Sequence, residues 1–218
     1  MGVSARCKEG PRVALEGRQH LYRGLWREAE VARPASLRCL PVWKETENGF
    51  GRPSPTMDTV AGPAFPPVER VAVYEGWETP SLAGATWALR GVAGHLRYTE
   101  RHEQEALAAN QAGLGRPEAT YAALIPIKKS PAWWNLAQNE RRAIFEERSH
   151  HISLSMKYLP AIARRLHHSR DLGEPFDFLT WFEFSPKDAS LFDELVRMLR
   201  STEEWKYVER EVDIRLSR

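Results

Sequence analysis

The spacing of apolar residues divides the chain into a patternless stretch and a patterned one. Residues 1–68 scatter Arg, Gly and Pro, most densely in Gly51-Arg52-Pro53-Ser54-Pro55 and Gly62-Pro63-Ala64-Phe65-Pro66-Pro67. They sustain neither a 3.6-residue nor a 2-residue period, so this segment reads as tail or loop. Met57, just behind the first Pro-rich patch, is a candidate translation start. From Glu69 the text becomes regular. Residues 70–74 and 86–92 are rich in side chains that suit a pleated surface and read as strands. A helical stretch over 99–111 follows, with Gly113 and Gly115 as its cap and turn glycines.

The second half repeats this grammar more cleanly. Residues 121–129 form a strand in which Pro126 argues for an edge or a bulge. Ser130-Pro131 opens a helical region, and Asn139 caps a longer helix over 140–158. Its apolar positions Ile144, Phe145, Ile152, Leu154 and Met156 are spaced for burial on more than one side. Pro160 stops it and biases Leu159 away from the α region. Residues 161–168 carry some helix propensity, but the turn at 171–175 and the strand at 176–184 make a β-hairpin the better explanation. On a strand Ile162, Arg164, Leu166 and His168 share one face, as Phe178, Thr180 and Phe182 do on the partner. An arginine then sits among apolar side chains. A helix over 186–207, striped by Leu191, Leu195, Met198 and Leu199, and a strand over 208–216 close the chain. The order β-α-β-β-α-β is the ferredoxin-like unit, and the fold class is α+β.

Charge and cysteine content narrow the function classes. The 31 basic and 29 acidic residues leave a formal net charge of +2, and no Lys/Arg block is interleaved with aromatics, so no nucleic-acid partner is expected. No apolar run approaches the ~20 residues of a membrane span, and the N-terminus lacks the continuous apolar core of a signal peptide. Cys7 and Cys39 have no nearby partner pattern, which fits a reducing compartment and makes the cytoplasm the default expectation.

Candidate chemistry gathers in the second half. His150-His151 falls on the long helix, and a neutral imidazole is a common axial ligand for haem iron. A lone histidine is more often an ordinary surface or core residue. Adjacent helical histidines also point ~100° apart, so at most one faces a given pocket. Metal-bound histidines donate their other ring proton to a carboxylate or carbonyl. Glu203-Glu204 offers one within the same helical layer, unless the two are simply a solvated pair. Trp133-Trp134, close behind Lys128-Lys129, offers a flat porphyrin aromatic walls and cations for its propionates, or else core filling beside snorkelling lysines.

These runs together resemble chlorite dismutase. The likeness is carried by Leu124 through Trp134, Glu140 through His151, Lys157 through Arg164 and Glu174 through Glu183, and extends from about Leu89 to the C-terminus. The resemblance implies two ferredoxin-like halves in a dimeric α/β barrel: an abbreviated one over 69–120 and a haem-binding one over 121–218. It implies one haem b per subunit, with His151 as proximal iron ligand, Glu204 as its hydrogen-bonded carboxylate and Arg164 as distal arginine. Lys129, Trp133 and Trp134 fall in the haem-contact segment, Tyr98 at a propionate, and Thr180 and Phe182 in the distal lining. The implied reaction is chlorite to chloride and dioxygen, with O–O bond formation at the iron. The short N-terminal half resembles the dimeric branch, and a homodimer is expected. A coproheme decarboxylase of haem biosynthesis stands as an alternative, against which Arg164 argues, and a non-catalytic haem-binding protein as another.

Overall fold

The computed structural model describes residues 56–68, 71–73, 85–93 and 97–217. Expectations placed on residues 1–55, with both cysteines, and on Arg70 and Tyr74 lie outside them. The chain runs β1 (Thr56–Ala61), β2 (Val92–Ala93), α1 (Arg101–Asn110), β3 (Tyr121–Lys129), α2 (Pro131–Asn135) and α3 (Gln138–Arg142). A π-helical segment (Ala143–Arg148), α4 (His151–Ser155) and a 3-10 turn (Met156–Tyr158) lead into the hairpin β4 (Ala163–His168) and β5 (Phe178–Phe184). Then come α5 (Ala189–Arg200), a second 3-10 turn (Glu203–Tyr207) and β6 (Val208–Ser217).

The six strands make one sheet in the order β1-β6-β3-β5-β4-β2, every neighbouring pair antiparallel. Its inner four, β6-β3-β5-β4, are the ferredoxin-like arrangement of the second half. Alternation along each strand separates two cores. Ala122, Leu124, Leu179, Trp181, Val212, Ile214 and Leu216 face one way, against Val71, Trp87 and Leu89. Ala123, Ile125, Phe182 and Phe184 face the other, where α5 lays Phe192, Leu195, Val196 and Leu199 over them. Each buried Val, Leu, Ile or Phe among them stabilises the fold by roughly 1.5–3 kcal/mol relative to exposure.

The structure corrects several expectations. Residues 56–61 are not tail: β1 pairs with β6 from Thr56↔Arg215 onward, and Met57, Phe65 and Val68 pack on the first core. Six residues at an edge need only one partner strand, so the pairing leaves little periodic trace. The strand expected over 86–92 shortens to Val92–Ala93. Gly91 explains the close approach there, since a Cβ on it would lie 2.6 Å from the His167 Cβ. Pro126 lies in a central strand, not at an edge. The β3–β6 ladder skips Ile125 and Pro126, resumes at Ile127↔Glu211 and shifts between Lys128 and Lys129. α1 ends at Asn110 with an extended Gln111, so Gly113 does not cap it.

The long helix expected over 140–158 is broken. Ala137, not Asn139, precedes α3, its amide donating to the Glu140 carboxylate at 2.7 Å. After the π segment His150 turns left-handed at φ 52°, and α4 begins at His151. The Glu146 carboxylate accepts the freed amides of Ile152 (2.6 Å) and Ser153 (3.1 Å), which satisfies the new helix start. Leu159 stays in the α region despite Pro160, and the turn closes with the amides of Ala161 and Ile162 donating to the Tyr158 carbonyl. The last helix likewise stops at Arg200, so Glu204 stands on the following 3-10 turn.

Candidate functional site

One cavity lies between the sheet's second face and the helices covering it, with about 1140 Å³ of space including its open mouth. Its sheet wall carries Ile125, Ile162, Arg164, Leu166, Phe178, Thr180 and Phe182, and its helical wall Leu107, Phe145, His151, Ile152 and Leu159. The β4–β5 register places Arg164 opposite Phe182 and Leu166 opposite Thr180. Arginine and lining residues thus share one face, as strand alternation predicts.

His151 is the first residue of α4, and its Nδ1 lies 2.7 Å from the Glu204 Oε2. Glu204 is buried and receives the Lys129 ammonium on Oε1 at 2.8 Å. Burial alone would raise this carboxyl; the charges of Lys129 and His151, and the hydrogen bonds they donate, outweigh it and hold the group at about 2. An ionised carboxylate only accepts, so Nδ1 carries the proton and Nε2 is the ring nitrogen left for a ligand. Phe145 stacks on the imidazole at 4.4 Å and 21°, fixing its plane. Ser149 Oγ accepts the Glu204 amide at 2.9 Å, which ties the helix break to the carboxylate's turn.

Arg164 is the counterpart on the sheet. Burial lowers its pKa, no carboxylate reaches it among the described residues, and its Nε has no hydrogen-bond partner. Arg164 is half-buried, and a cation set among apolar side chains without a counter-ion is costly, which points to an anion that completes it. The other cations lining the cavity have acidic partners: Arg97 with Asp171, Lys129 with Glu204, Arg200 with Glu211 and Asp213.

Of the residues singled out from sequence, His151, Arg164, Glu204, Tyr98, Lys129, Trp133, Thr180 and Phe182 all line this cavity. Trp134 does not. Its Nε1 donates to Asp177 at 3.1 Å, and its ring stacks on Phe178 with the Arg170 guanidinium 4.0 Å above it. Successive residues on α2 diverge by ~100°, so only one of the pair faces inward. Lys129 is not left free as a cation for propionates, because both its hydrogen bonds go to Glu204. Tyr98 sits at φ 62° with its ring edge-on to Trp133 and its hydroxyl 3.4 Å from Arg141. Sequence reasoning missed Phe145 and Ser149 as partners of the site. A serine within a helical run competes for backbone hydrogen bonds and was the available signal for the break.

Set against known proteins, residues 68–218 match the family profile described as chlorite dismutase. The chain belongs to the chlorite dismutase family. The dimeric chlorite dismutase of Nitrobacter winogradskyi is 58% identical, with a TM-score of 0.70 over 78% of this chain and 97% of that one. A mutant chlorite dismutase from Candidatus Nitrospira defluvii is 30% identical, with a TM-score of 0.51 over 62% of this chain and 56% of that one. The chlorite dismutase of Ideonella dechloratans is 31% identical over 157 residues, 69% of this chain and 50% of its own length. The chain therefore spans about half of that curated relative. Among the described residues no helix is long and apolar enough to cross a membrane.

Proposed function

We propose that this protein decomposes chlorite to chloride and dioxygen on a haem b held between the helical wall at His151 and the sheet wall at Arg164. The observation that carries the reading is the pairing of those two residues in one apolar cavity: an imidazole with its tautomer set, and a half-buried cation awaiting an anion. The residues present fit the group. His151 Nε2 would ligate the iron, Trp133 and Phe145 would flank the macrocycle, and Tyr98 stands where a carboxylate at the mouth would meet a hydroxyl. When bound, haem supplies the redox-active iron on which oxygen atoms are transferred and the O–O bond is made.

The chain's own part is electrostatic. Arg164 binds the oxyanion through its fork and holds charge within the pocket, because a guanidinium stays protonated across the working range even with its pKa lowered. Leu166, Phe178, Phe182 and the Thr180 side chain surround it and keep water scarce, which strengthens that attraction. Glu204 keeps the proton on Nδ1 of His151 and so keeps Nε2 available. The homodimer and the cytoplasmic setting belong to the same proposal; the dimer is supported by the identity that extends over nearly the whole Nitrobacter chain.

An oxygen electrode tests the reading. Haem-loaded protein should release one O₂ per chlorite consumed. Arg164→Ala should keep its haem, lose turnover by roughly 10²-fold or more, and bleach sooner. His151→Ala should lose the wild-type Soret spectrum. Coproheme conversion with peroxide and no O₂ release, or unchanged turnover in Arg164→Ala, would overturn it.

A further inference from the structure

Lys129 is 4% exposed, an ammonium buried beneath the cavity. Its hydrogen bonds both go to Glu204, at 2.8 Å to Oε1 and 3.4 Å to the carbonyl, so one residue takes all of its polar contacts. What else steadies the charge is aromatic: Nζ lies 4.8 Å from the Trp133 ring centroid and 5.3 Å from that of Trp205. Both distances are within cation–π range, where a desolvated cation gains most. Trp133 is fully enclosed in the core. Trp205 follows Glu204 on the same 3-10 turn and is fixed from behind, its Nε1 donating to the Glu211 Oε2 at 2.7 Å. Glu211 is fully buried, and its other oxygen accepts the Arg200 Nε (2.9 Å) and Nη2 (2.7 Å). A rigid chain of contacts thus runs Arg200–Glu211–Trp205–Lys129–Glu204–His151.

We propose that Trp205, anchored by Glu211, is a positioning residue that holds the Lys129 ammonium against Glu204 and so sets how strongly that carboxylate draws on the His151 Nδ1–H. The inference rests on the proposed role of His151 as iron ligand. With the ammonium close, part of the carboxylate's charge is spent on it, and the imidazole stays near neutral character. With the ammonium displaced, the carboxylate pulls harder on the proton, the ring donates more electron density through Nε2, and ferric iron is favoured over ferrous.

The test reads potential and spectrum. In haem-loaded protein, Trp205→Leu should lower the ferric/ferrous midpoint potential and raise the ferrous iron–histidine stretching frequency. Lys129→Met should move both the same way and further. Trp205→Phe, which keeps a ring face but loses the Glu211 bond, should fall between Trp205→Leu and wild type. In the Lys129→Met background Trp205→Leu should add nothing. Wild-type values in Trp205→Leu, or fully additive shifts in the double variant, overturn the proposal. In the haem-free chain the same pair of substitutions forms a stability cycle. The double variant's unfolding constant should be about tenfold smaller than the two single losses multiplied together predict, the scale of a desolvated cation–π contact. Coupling in that cycle without haem binding by wild type would reject the haem reading and leave the clamp standing. Haem binding without coupling would reject the clamp alone.

Discussion

Replacing Glu204 by Gln keeps the shape of the side chain and removes the charge that both Lys129 and His151 face. Both partners are buried, Lys129 at 4% exposure and Glu204 at 5%. Removing one member of such a pair leaves the other charge stranded and costs about 3–5 kcal/mol. Proton linkage points the same way: Lys129 and His151 together hold the Glu204 carboxyl well below the ordinary carboxylate range in spite of its burial, so folding favours the charged form. In urea unfolding of the haem-free protein, followed by far-UV circular dichroism at neutral pH, a slope near ~2 kcal/mol per molar makes that cost a midpoint loss of ~1.5–2.5 M. The double variant Lys129→Met with Glu204→Gln strands no charge and should recover at least about half of the loss. A loss below about 0.5 kcal/mol in Glu204→Gln, or a double variant equal to the sum of the singles, would refute the idea that this ion pair holds the turn in place.

Three further outcomes follow from the fold. His167 is buried at 2% exposure, and burial holds its pKa near 4 although its Nδ1–H donates to the Leu179 carbonyl at 3.3 Å. The unfolded chain takes up that proton below about 6.5, so stability is intact above that pH and falls by up to roughly 3 kcal/mol as pH drops to about 4; His167→Gln should flatten this slope in chemical unfolding. Gly91→Ala would push a Cβ to 2.6 Å from the His167 Cβ and should cost about 1–3 kcal/mol, read as a lowered melting temperature; an unchanged melting temperature would show that the two segments move apart freely. His150→Gly removes a side chain from a left-handed residue at φ 52° and should change stability by less than ~1 kcal/mol in either direction, because relief of strain opposes the entropy glycine brings; a large loss would mean the His150 ring itself holds the break.

The hairpin was the most legible part. Alternation over 162–168 and 178–182 put Arg164 among apolar neighbours, and the paired register keeps it there. The ferredoxin-like order was equally readable, because period changes and turn residues alternate across the second half. The helix break at Ser149-His150 was less so: Ser149 is a local hint, but nothing in helix propensity favours a π segment, and the nearby Glu146 carboxylate and the distant Glu204 amide decide it. β1 was hidden for the opposite reason: Thr56–Ala61 sits beside Pro-rich text, and its pairing partner lies more than 150 residues away. For Trp134 and Lys129, neither resemblance nor proximity in sequence says which side of a short helix faces a cavity or which carboxylate claims an ammonium.

The isolation of Arg164 has a consequence for discrimination among oxidants. Among the described residues each other Lys or Arg on the cavity wall has an acidic partner, so the field that an incoming molecule meets there comes largely from the Arg164 guanidinium. Hydrogen peroxide, uncharged, gains almost nothing from it, whereas a monovalent oxyanion of similar size gains a Coulombic attraction that a dry pocket magnifies. Sieving of this kind is by charge sign before shape. It predicts that small anions of quite different geometry compete for the same place and raise the melting temperature as they fill it, while neutral molecules of matching size leave it unchanged.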